Sequence, residues 1–370
     1  MTAGVYLHIP FCKSRCSYCD FATDIYRDSA AVESYVDAVC AEIDSFATSQ
    51  PAIQIDTIYF GGGTPSLLSP FQVSRLMTSV REKFGITDEP EITMEMNPAT
   101  VTPESLAGFR DLGVNRASFG VQTFNDRALK LLARGHDAQD ARNTFRMLRE
   151  AGYDNVSLDL IAGLPGQTLS DWESNLDEAL AMHPEHLSLY LLEVHEATPL
   201  AEQILSRRQP VPDEDLAAEM YEMMLDTTVA AGYEQYEISN FSKPGFASRH
   251  NTKYWRLEPV YAFGVSAHSF DGRERYANER DTAKYVEMIE TQGTAEVMRE
   301  EIDTASEFAF LGLRLNGGVD LDEFQRRHGN GADEKVTPLL KAKLLEVSDG
   351  RLRLTRKGML FSNEVFEKFV

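Results

Sequence analysis

Residues 5–21 read VYLHIPFCKSRCSYCDF, and this stretch decides both the expected fold and the expected chemistry of the chain. Val5–Ile9 is a short apolar run that ends at a proline, which is typical of a buried β-strand. Cys12, Cys16 and Cys19 follow it closely in a C-x3-C-x2-C pattern. Three cysteines so close together indicate a metal site rather than a disulfide framework. The sequence therefore predicts a strand that leads directly into a metal-binding loop.

The cysteine pattern favours an iron–sulfur cluster over zinc. Thiolates are soft ligands suited to such clusters, and a loop with this spacing can wrap around a [4Fe–4S] cubane. Three ligands leave the fourth iron open to a second molecule. A structural zinc site needs four ligands, and the remaining candidates His8, Asp20 and Cys40 do not complete a standard zinc spacing. Cys40 falls on the apolar side of a predicted helix, where a cysteine is usually a small buried hydrophobe.

Downstream of the cysteine loop, short β-rich runs alternate with amphipathic helical stretches over about two-thirds of the chain. This alternation is typical of a parallel α/β sheet. Six βα units are too few to close an eight-stranded barrel, so we predict an α/β fold built on a partial, open (β/α)6 barrel, with its chemistry at the C-terminal ends of the strands. The predicted strands are Val5–Ile9, Thr57–Phe60, Ile92–Glu95, Arg116–Gly120, Asn155–Ile161 and Leu187–Leu191. The predicted helices lie near Ala31–Ala47, Pro70–Phe84, Pro103–Leu112, Ala138–Ala151 and Ser170–Met182.

The alternation stops near Pro210, and three parts are predicted: the barrel over residues 1–235, a connecting segment over 236–300 and a C-terminal domain over 301–370. An acidic helix after Pro210 leads into an irregular aromatic stretch that runs through Phe270. The C-terminal part offers three helices and then Leu352–Leu354, followed by Arg356-Lys357-Gly358, like the turn and strand of a small winged-helix unit of α+β type.

The charge and composition exclude several classes of function. The chain of 370 residues carries 58 acidic against 36 basic residues, for a net charge of −22. This balance opposes the phosphate-neutralising surface of a nucleic-acid-binding protein. No apolar run approaches the roughly 20 residues of a membrane span, and no secretory signal precedes the first strand. We expect a cytoplasmic protein in a reducing compartment.

Polar residues fall where the predicted barrel places a site. Gly61-Gly62-Gly63-Thr64-Pro65 follows the second strand. Successive glycines let a backbone approach a ligand closely, but the same glycines are also typical of a simple tight turn. Glu95, Gln122 and Asp159 lie in or just after other strands. Buried carboxylates need internal hydrogen bonds or a polar ligand, so each could also be a structural residue.

With these motifs in the order quoted, the sequence resembles the radical S-adenosylmethionine (SAM) superfamily. In that superfamily the open iron of a [4Fe–4S] cluster binds SAM, and an electron from the cluster cleaves it to a 5′-deoxyadenosyl radical. The resemblance is strongest to the family that includes the oxygen-independent coproporphyrinogen oxidases. By motif and order it implies Cys12, Cys16 and Cys19 as cluster ligands. The implied SAM contacts are Tyr6, Gly62, Gly63, Thr64, Glu95, Gln122, Arg134 and Asp159.

Two branches of that family matter: the oxidases, which decarboxylate two propionates of their substrate, and heme chaperones, which resemble them but bind heme. Oxidases carry a fourth cysteine two residues after the third, where this sequence has Phe21. They also carry a substantial segment ahead of the cysteines, whereas 11 residues precede Cys12 here. The motif H-N-x-x-Y-W, present as residues 250–255, is typical of the chaperone branch. The resemblance therefore favours a heme chaperone, with the oxidase as the alternative, and leaves open whether SAM is cleaved productively.

The H-N-x-x-Y-W motif is the predicted heme site. An imidazole can ligate heme iron, and Tyr254 and Trp255 offer apolar area to a porphyrin face. His250 is the candidate ligand, with His8 as another nitrogen donor. The alternative is that the motif forms a buried aromatic turn with a structural role only. In the strand that follows, where the family has several glycines, this chain keeps only Gly264. The resemblance further implies delivery of heme to acceptor hemoproteins, respiratory and membrane-associated, and leaves a homodimer open.

Overall fold

The computed structural model describes residues 2–26, 28–46, 53–329 and 332–370. The strands, in chain order, are β1 (Thr2–Ile9), β2 (Phe11–Cys12), β3 (Asp24–Ile25), β4 (Gln54–Gly62), β5 (Gly85–Met96), β6 (Arg116–Gln122), β7 (Val156–Ala162), β8 (His186–Leu191), β9 (Glu234–Glu237), β10 (Asn240–Ser242), β11 (Val260–Phe263), β12 (His268–Phe270), β13 (Glu274–Asn278), β14 (Glu296–Glu301), β15 (Val319–Asp320), β16 (Leu345–Ser348) and β17 (Arg351–Leu354). The α-helices are α1 (Ser29–Ser45), α2 (Pro70–Lys83), α3 (Pro103–Asp111), α4 (Asp126–Leu131), α5 (Ala138–Glu150), α6 (Leu169–Ala181), α7 (Pro199–Leu205), α8 (Glu214–Ala230), α9 (Arg249–Trp255), α10 (Thr282–Gln292), α11 (Thr304–Arg314), α12 (Leu321–His328), α13 (Ala332–Lys341), α14 (Arg356–Leu360) and α15 (Ser362–Phe366).

The six predicted strands are confirmed as the parallel centre of one sheet. They are β1 and β4 to β8, which pair in chain order and run in the same direction. The predicted helices between them are also present, although the predicted end of the first one, Ala47, lies outside the described residues. The parallel direction places the carboxyl ends of all six strands at one edge of the open barrel. We call this edge the mouth.

Local sequence explains where the barrel helices begin. Four of them start with a reciprocal capping pair. In each pair, a side-chain oxygen of the first residue accepts a hydrogen bond from the backbone N–H three residues on, and the side chain of that third residue accepts one from the backbone N–H of the first. Such a pair satisfies backbone donors that the first turn of a helix leaves free. The pairs are Ser69 and Gln72 in α2, Thr102 and Ser105 in α3, Asp137 and Asp140 in α5, and Thr168 and Asp171 in α6.

The region predicted to be an irregular aromatic stretch is instead part of the sheet. β11 pairs with β1 in parallel, and β12 to β14 continue from it as an antiparallel wall. β10 and β9 extend the other end beside β8. Most of these strands have three to five residues. Runs that short do not show a measurable periodicity, so the sequence pattern missed them. The boundaries at residues 235 and 300 stay a prediction.

The C-terminal part forms a small α+β unit, as predicted. Its helices pack against a three-stranded sheet in the order β15-β17-β16. Leu352–Leu354 lies in a strand as expected, but Arg356-Lys357-Gly358 begins the helix Arg356–Leu360 rather than forming a turn. Thr355 caps that helix by accepting a hydrogen bond from the backbone of Gly358. No helix among the described residues has the length and apolarity needed to cross a bilayer.

The two faces of the barrel strands differ in chemistry. Along β6 and β7 the apolar residues, such as Phe119 and Leu158, belong to the core beneath the helices. The alternate residues Arg116, Ser157 and Asp159 face the inside of the barrel, which we call the lumen, where Ser157 joins Asp159 in a hydrogen-bond network. A barrel interior is usually filled by branched apolar side chains. A polar lumen is therefore a place for ligands or for an internal hydrogen-bond network.

Candidate functional site

The cysteine loop, residues 12–19, lies across the mouth of the barrel. The backbone of Ser17 donates to Leu132 O at 2.9 Å and accepts from Leu200 N at 2.8 Å, so both sides of the loop are tied to neighbouring helices. The glycine turn after β4 supports its start, because Gly63 N donates to Ile9 O and Thr64 N donates to Phe11 O, each at 2.8 Å. The loop is thus held by backbone bonds that do not use the thiols.

The three loop thiols are free and half-buried, and polar donors point at two of them. Thr64 Oγ1 donates to Cys12 Sγ at 3.5 Å, and Arg134 Nη1 donates to Cys16 Sγ at 3.4 Å. Burial raises the pKa of Cys12 to about 11 and also raises the pKa of Cys19. A bound metal centre deprotonates coordinating thiols outright, so these buried thiols suit a metal cluster better than they suit a free thiolate.

The described residues contain no group of three His, Cys, Asp or Glu side chains arranged to hold a single metal ion. A tetrahedral zinc site needs its ligands about 2.0–2.3 Å from one atom. A cubane has four irons, each taking its own thiolate, so its ligands are spread more widely. Cys12, Cys16 and Cys19 stay the predicted ligands of a cluster. Cys40 lies in α1, outside the loop, and interacts with Ser79.

Arg134 joins the loop to the barrel. Its Nη2 donates to Asn97 Oδ1 at 2.7 Å and to Gly120 O at 2.5 Å, while Nη1 reaches Cys16. Asn97 in turn donates to Thr64 Oγ1 at 2.8 Å. The Nε of Arg134 is buried without a partner among the described residues. A buried donor left free costs free energy unless a ligand or water accepts from it, so Arg134 fits a polar cofactor beside the cluster.

Glu95 lies just inside the mouth with both oxygens engaged. Tyr59 OH donates to Oε1 at 2.9 Å and Gly62 N donates to Oε2 at 3.1 Å. Gly62 has φ +109°, and a side chain there would run into the ring of His8 at 2.7 Å, so the position requires glycine. Burial raises the pKa of Glu95 to about 7, and the charge of Asp159 adds to the rise. Tyr6 stacks on Tyr59 in the same layer at 6.0 Å between ring centroids.

Asp159 and Gln122 complete the predicted SAM contacts. Burial raises the pKa of Asp159, against hydrogen bonds from Ser188 and Ser157. Gln122, at the end of β6, has φ +68°, a conformation that non-glycine residues adopt rarely and that is often found at functional sites. Two crowded carboxylates favour a ligand that brings positive charge, such as the sulfonium and ammonium groups of SAM. The structure thus brings the eight predicted contacts to the mouth, and their role stays a prediction.

The predicted heme residues lie elsewhere, one layer deeper. α9 closes the lumen at the end opposite the mouth. Its His250 is 1% exposed, and the His250 ring stacks on Tyr59 with 5.0 Å between the ring centroids. Its Nδ1 bonds Thr57 Oγ1 at 2.9 Å and its Nε2 bonds Tyr254 OH at 3.2 Å. Trp255 is half-buried under the guanidinium of Arg314. Both nitrogens of His250 are therefore engaged in this conformation.

Sequence reasoning did not single out the polar residues of the lower lumen. Arg116 is 1% exposed, and its Nε and Nη1 lack partners among the described residues. Ser157 Oγ bonds His186 Nδ1 at 2.8 Å, and His186 Nε2 bonds Tyr236 OH at 2.8 Å. The available signal was the period-two polar pattern in β6 and β7, because buried parallel strands are usually apolar throughout.

Comparison with known proteins agrees with this geometry. The Radical SAM superfamily model matches residues 6–179 and the HemN C-terminal domain model matches residues 300–361. The chain is 38% identical to the protein named heme chaperone HemW of Bacillus subtilis (strain 168), over 99% of both chains. It is 33% identical to that of Escherichia coli (strain K12), over 99% of this chain and 98% of the relative. The solved structure of coproporphyrinogen III oxidase (HemN) from Escherichia coli superposes with a TM-score of 0.84 at 25% identity, covering 100% of this chain and 90% of that one.

Proposed function

The chain belongs to the radical SAM superfamily and, within it, to the family of the HemW proteins, and from this premise we propose that it is a heme chaperone. It would bind heme reversibly and deliver it to hemoproteins. The observation that carries the proposal is the match over nearly the full length to relatives that bear this name, at 38% and 33% identity. A match that includes both the barrel and the C-terminal unit supports a shared function better than a shared fold does.

One structural feature favours the chaperone over the oxidase. Phe21 occupies the position where the oxidases carry their fourth cysteine, and it is 68% exposed beside the cysteine loop. An exposed phenylalanine cannot replace a thiol, but it can contact an apolar ligand or partner. The mouth therefore has one thiol fewer and more apolar surface than the oxidase pattern.

The residues at the mouth fit a [4Fe–4S] cluster and SAM. Cys12, Cys16 and Cys19 would hold the cluster, which supplies an open iron position and an electron to bound SAM. Arg134 orients the loop through Cys16 and offers its free Nε. Glu95 lies where it could accept hydrogen bonds from a cofactor. Whether the bound SAM is cleaved or only stabilises the site is a separate question, which the assay below addresses.

Heme, its acceptor and its compartment are the finer parts of the proposal. His250, Tyr254 and Trp255 stay the candidate heme residues of the motif, although ligation by His250 requires its ring to leave Thr57 and Tyr254. We further propose that the acceptors are respiratory, membrane-associated hemoproteins. A cluster held by thiolates needs a reducing compartment, which supports the cytoplasm. A homodimer is part of the same proposal.

The deciding experiment measures both oxidase activity and heme binding. Cluster-reconstituted protein is incubated anaerobically with coproporphyrinogen III, SAM and a reductant, and porphyrin products and SAM cleavage are measured. We expect unchanged tetrapyrrole, together with stoichiometric hemin binding and transfer to an apo-hemoprotein in a parallel titration. The Cys16→Ala variant is the matched control for cluster dependence. Catalytic formation of protoporphyrinogen would establish the oxidase instead, and failure to bind hemin would overturn the chaperone.

The oxidase is the second candidate because one observation favours it. The solved oxidase structure covers this whole chain with a TM-score of 0.84, and its lower identity of 25% compares with 38% for the chaperone relative. The carboxylates and Arg134 at the mouth would suit either role. The same incubation therefore separates the two candidates.

A further inference from the structure

His268 is an exposed histidine at the mouth whose ring has no hydrogen-bond or ion-pair partner among the described residues. It begins β12, which runs antiparallel to β11, so it lies at the edge where the parallel strands end. Phe270 pairs with Val260, which places His268 next to Ala262 on the face that continues the lumen lining from Tyr6. The ring therefore faces the open side of the barrel.

Two histidines on the β1 side of the lumen are already occupied. His8 is 5% exposed, with Nδ1 bonded to Tyr6 OH at 3.2 Å and Nε2 bonded to Ala22 O at 2.9 Å. His250 is buried, with both nitrogens bonded to side chains. A ligand that needs an imidazole lone pair would have to break an existing bond at either of them. His268 requires no such exchange.

The surroundings of His268 match the two chemistries of a porphyrin. Arg280 is 66% exposed and donates to Asp20 O at 2.9 Å, while the Asp20 carboxylate is only loosely paired with it at 3.8 Å. His8 holds Ala22 on the other side. Phe21 lies in the chain between those two anchored residues and is mostly exposed. Because Arg280 and His8 both interact electrostatically with His268, Phe21 belongs to the same region of the mouth. An exposed aromatic ring, an imidazole without a partner among the described residues and a largely exposed guanidinium therefore occur in one region.

We propose that His268 is an axial ligand of heme iron at the mouth, with Phe21 as an apolar contact of the porphyrin and Arg280 as the partner of a propionate. This inference rests on the proposed function and assigns the iron to the mouth in place of His250, whose ring nitrogens are both bonded. Heme combines a large apolar ring, an iron that takes imidazole and two carboxylates, and each has a counterpart here. Arginine pairs with carboxylates in bidentate geometry, which would also fix the orientation of the ring.

Two further observations support the assignment. Burial and the neighbouring Arg275 and Arg280 lower the pKa of His268, so its imidazole is neutral and can ligate a metal at physiological pH. The turn before β12 is held firmly, since Gly264 N donates to Glu42 and Val265 N donates to Tyr35 OH at 3.0 Å. A fixed backbone keeps the ring in place for the iron.

The test is a hemin titration of the cluster-loaded full chain under anaerobic conditions. The readouts are hemin affinity and the nitrogen hyperfine signal of an imidazole bound to ferric heme in pulsed electron paramagnetic resonance, neither of which depends on catalysis. His268→Asn should lose that signal and bind hemin about ten- to hundredfold more weakly. Arg280→Gln should weaken binding while the ligand signal persists. His183→Asn is the matched control, because His183 is exposed at the opposite end of β8 and its φ of +54° suits asparagine.

The outcomes separate the inference from the function on which it rests. Loss of the signal in His268→Asn, with the His183→Asn protein unchanged and its cluster retained, supports the assignment. A full imidazole signal in His268→Asn overturns the ligand and leaves the chaperone standing. Equal losses in both variants would show that the effect is not specific to His268 and also overturn it. Absence of hemin binding by the unmodified protein removes both the function and the site.

Discussion

The Gly264→Ala substitution should destabilise the protein strongly, because both the backbone conformation and the close packing at this position require glycine. Its φ is +103°, and a Cβ at this position would lie 2.5 Å from Tyr35 OH and 2.8 Å from His8 O. Real Cβ atoms do not approach so closely, so either Tyr35 or the backbone of β1 would have to move. Tyr35 is fully buried and cannot move freely.

The magnitude follows from two separate costs. A non-glycine residue in such a conformation costs about 1–3 kcal/mol. Overpacking a well-filled site costs about 1–3 kcal/mol more, so the total loss should be about 2–6 kcal/mol. Gly272 provides the matched control on the same wall, since its φ is +101° but its Cβ would meet nothing closer than Pro259 at 3.7 Å. Gly272→Ala should therefore carry only the backbone cost, about 1–3 kcal/mol.

Urea denaturation of both variants, followed by circular dichroism, measures the difference. Replacing glycine by alanine also lowers the conformational entropy of the unfolded chain. This effect is the same for both variants, so it cancels when their free energies of unfolding are compared. We expect equal slopes against denaturant and a lower midpoint for Gly264→Ala, with a difference in the free energy of unfolding of about 1–3 kcal/mol. If Gly264→Ala were no less stable than Gly272→Ala, the steric part of the argument would be wrong.

Three further predictions can be measured independently. Cys16→Ala should abolish the visible absorbance of the reconstituted cluster while Cys40→Ala retains it, and a full cluster in Cys16→Ala would contradict the ligand assignment. Lys253→Met should lower the free energy of unfolding by about 1–3 kcal/mol in urea, because the buried ammonium pairs with Asp56 at 2.8 Å and its removal leaves that carboxylate only Thr2 and the more distant Arg249; an unchanged urea midpoint would contradict this. Glu95 has a folded pKa of about 7 against 4.5 for the free group, so the folded state holds the proton more tightly and stability should fall as pH rises from 4.5 to 7. Glu95→Gln should reduce the slope of that part of a pH series of urea midpoints, with Glu42 retaining its share of it, and an unchanged slope would refute the assignment.

The sequence predicted the parallel half of the fold because its signals are local and long. The six strands are apolar runs separated by helices that carry recognisable caps, and this alternation is enough to predict a parallel sheet. The cysteine loop and the Gly62–Gly63 turn follow directly from residue type and spacing. Their convergence at one edge then follows from strand direction alone.

The antiparallel wall and the partners in the lumen could not be predicted in the same way. β10 and β12 have three residues each, and their pairing depends on contacts between distant parts of the chain. The occupation of His250 by Thr57 is a contact across 193 positions of sequence. A motif can identify such a residue as unusual, but only the packed structure shows that its nitrogens are already bonded, while those of His268 have no partner in the described part of the chain.

The antiparallel wall and the cluster loop are coupled through β1. β1 ends in the cysteine loop, and β11 pairs along its opposite side from β4. Tyr35 OH donates to His8 O in β1 at 2.7 Å and accepts from Val265 N in the turn that leads to His268. One buried hydroxyl thus ties the strand that delivers Cys12 to the turn that positions His268. If heme binds on the wall as proposed, a shift of this turn would be transmitted to the strand that carries the cluster, so occupancy of one site should alter the spectrum of the other.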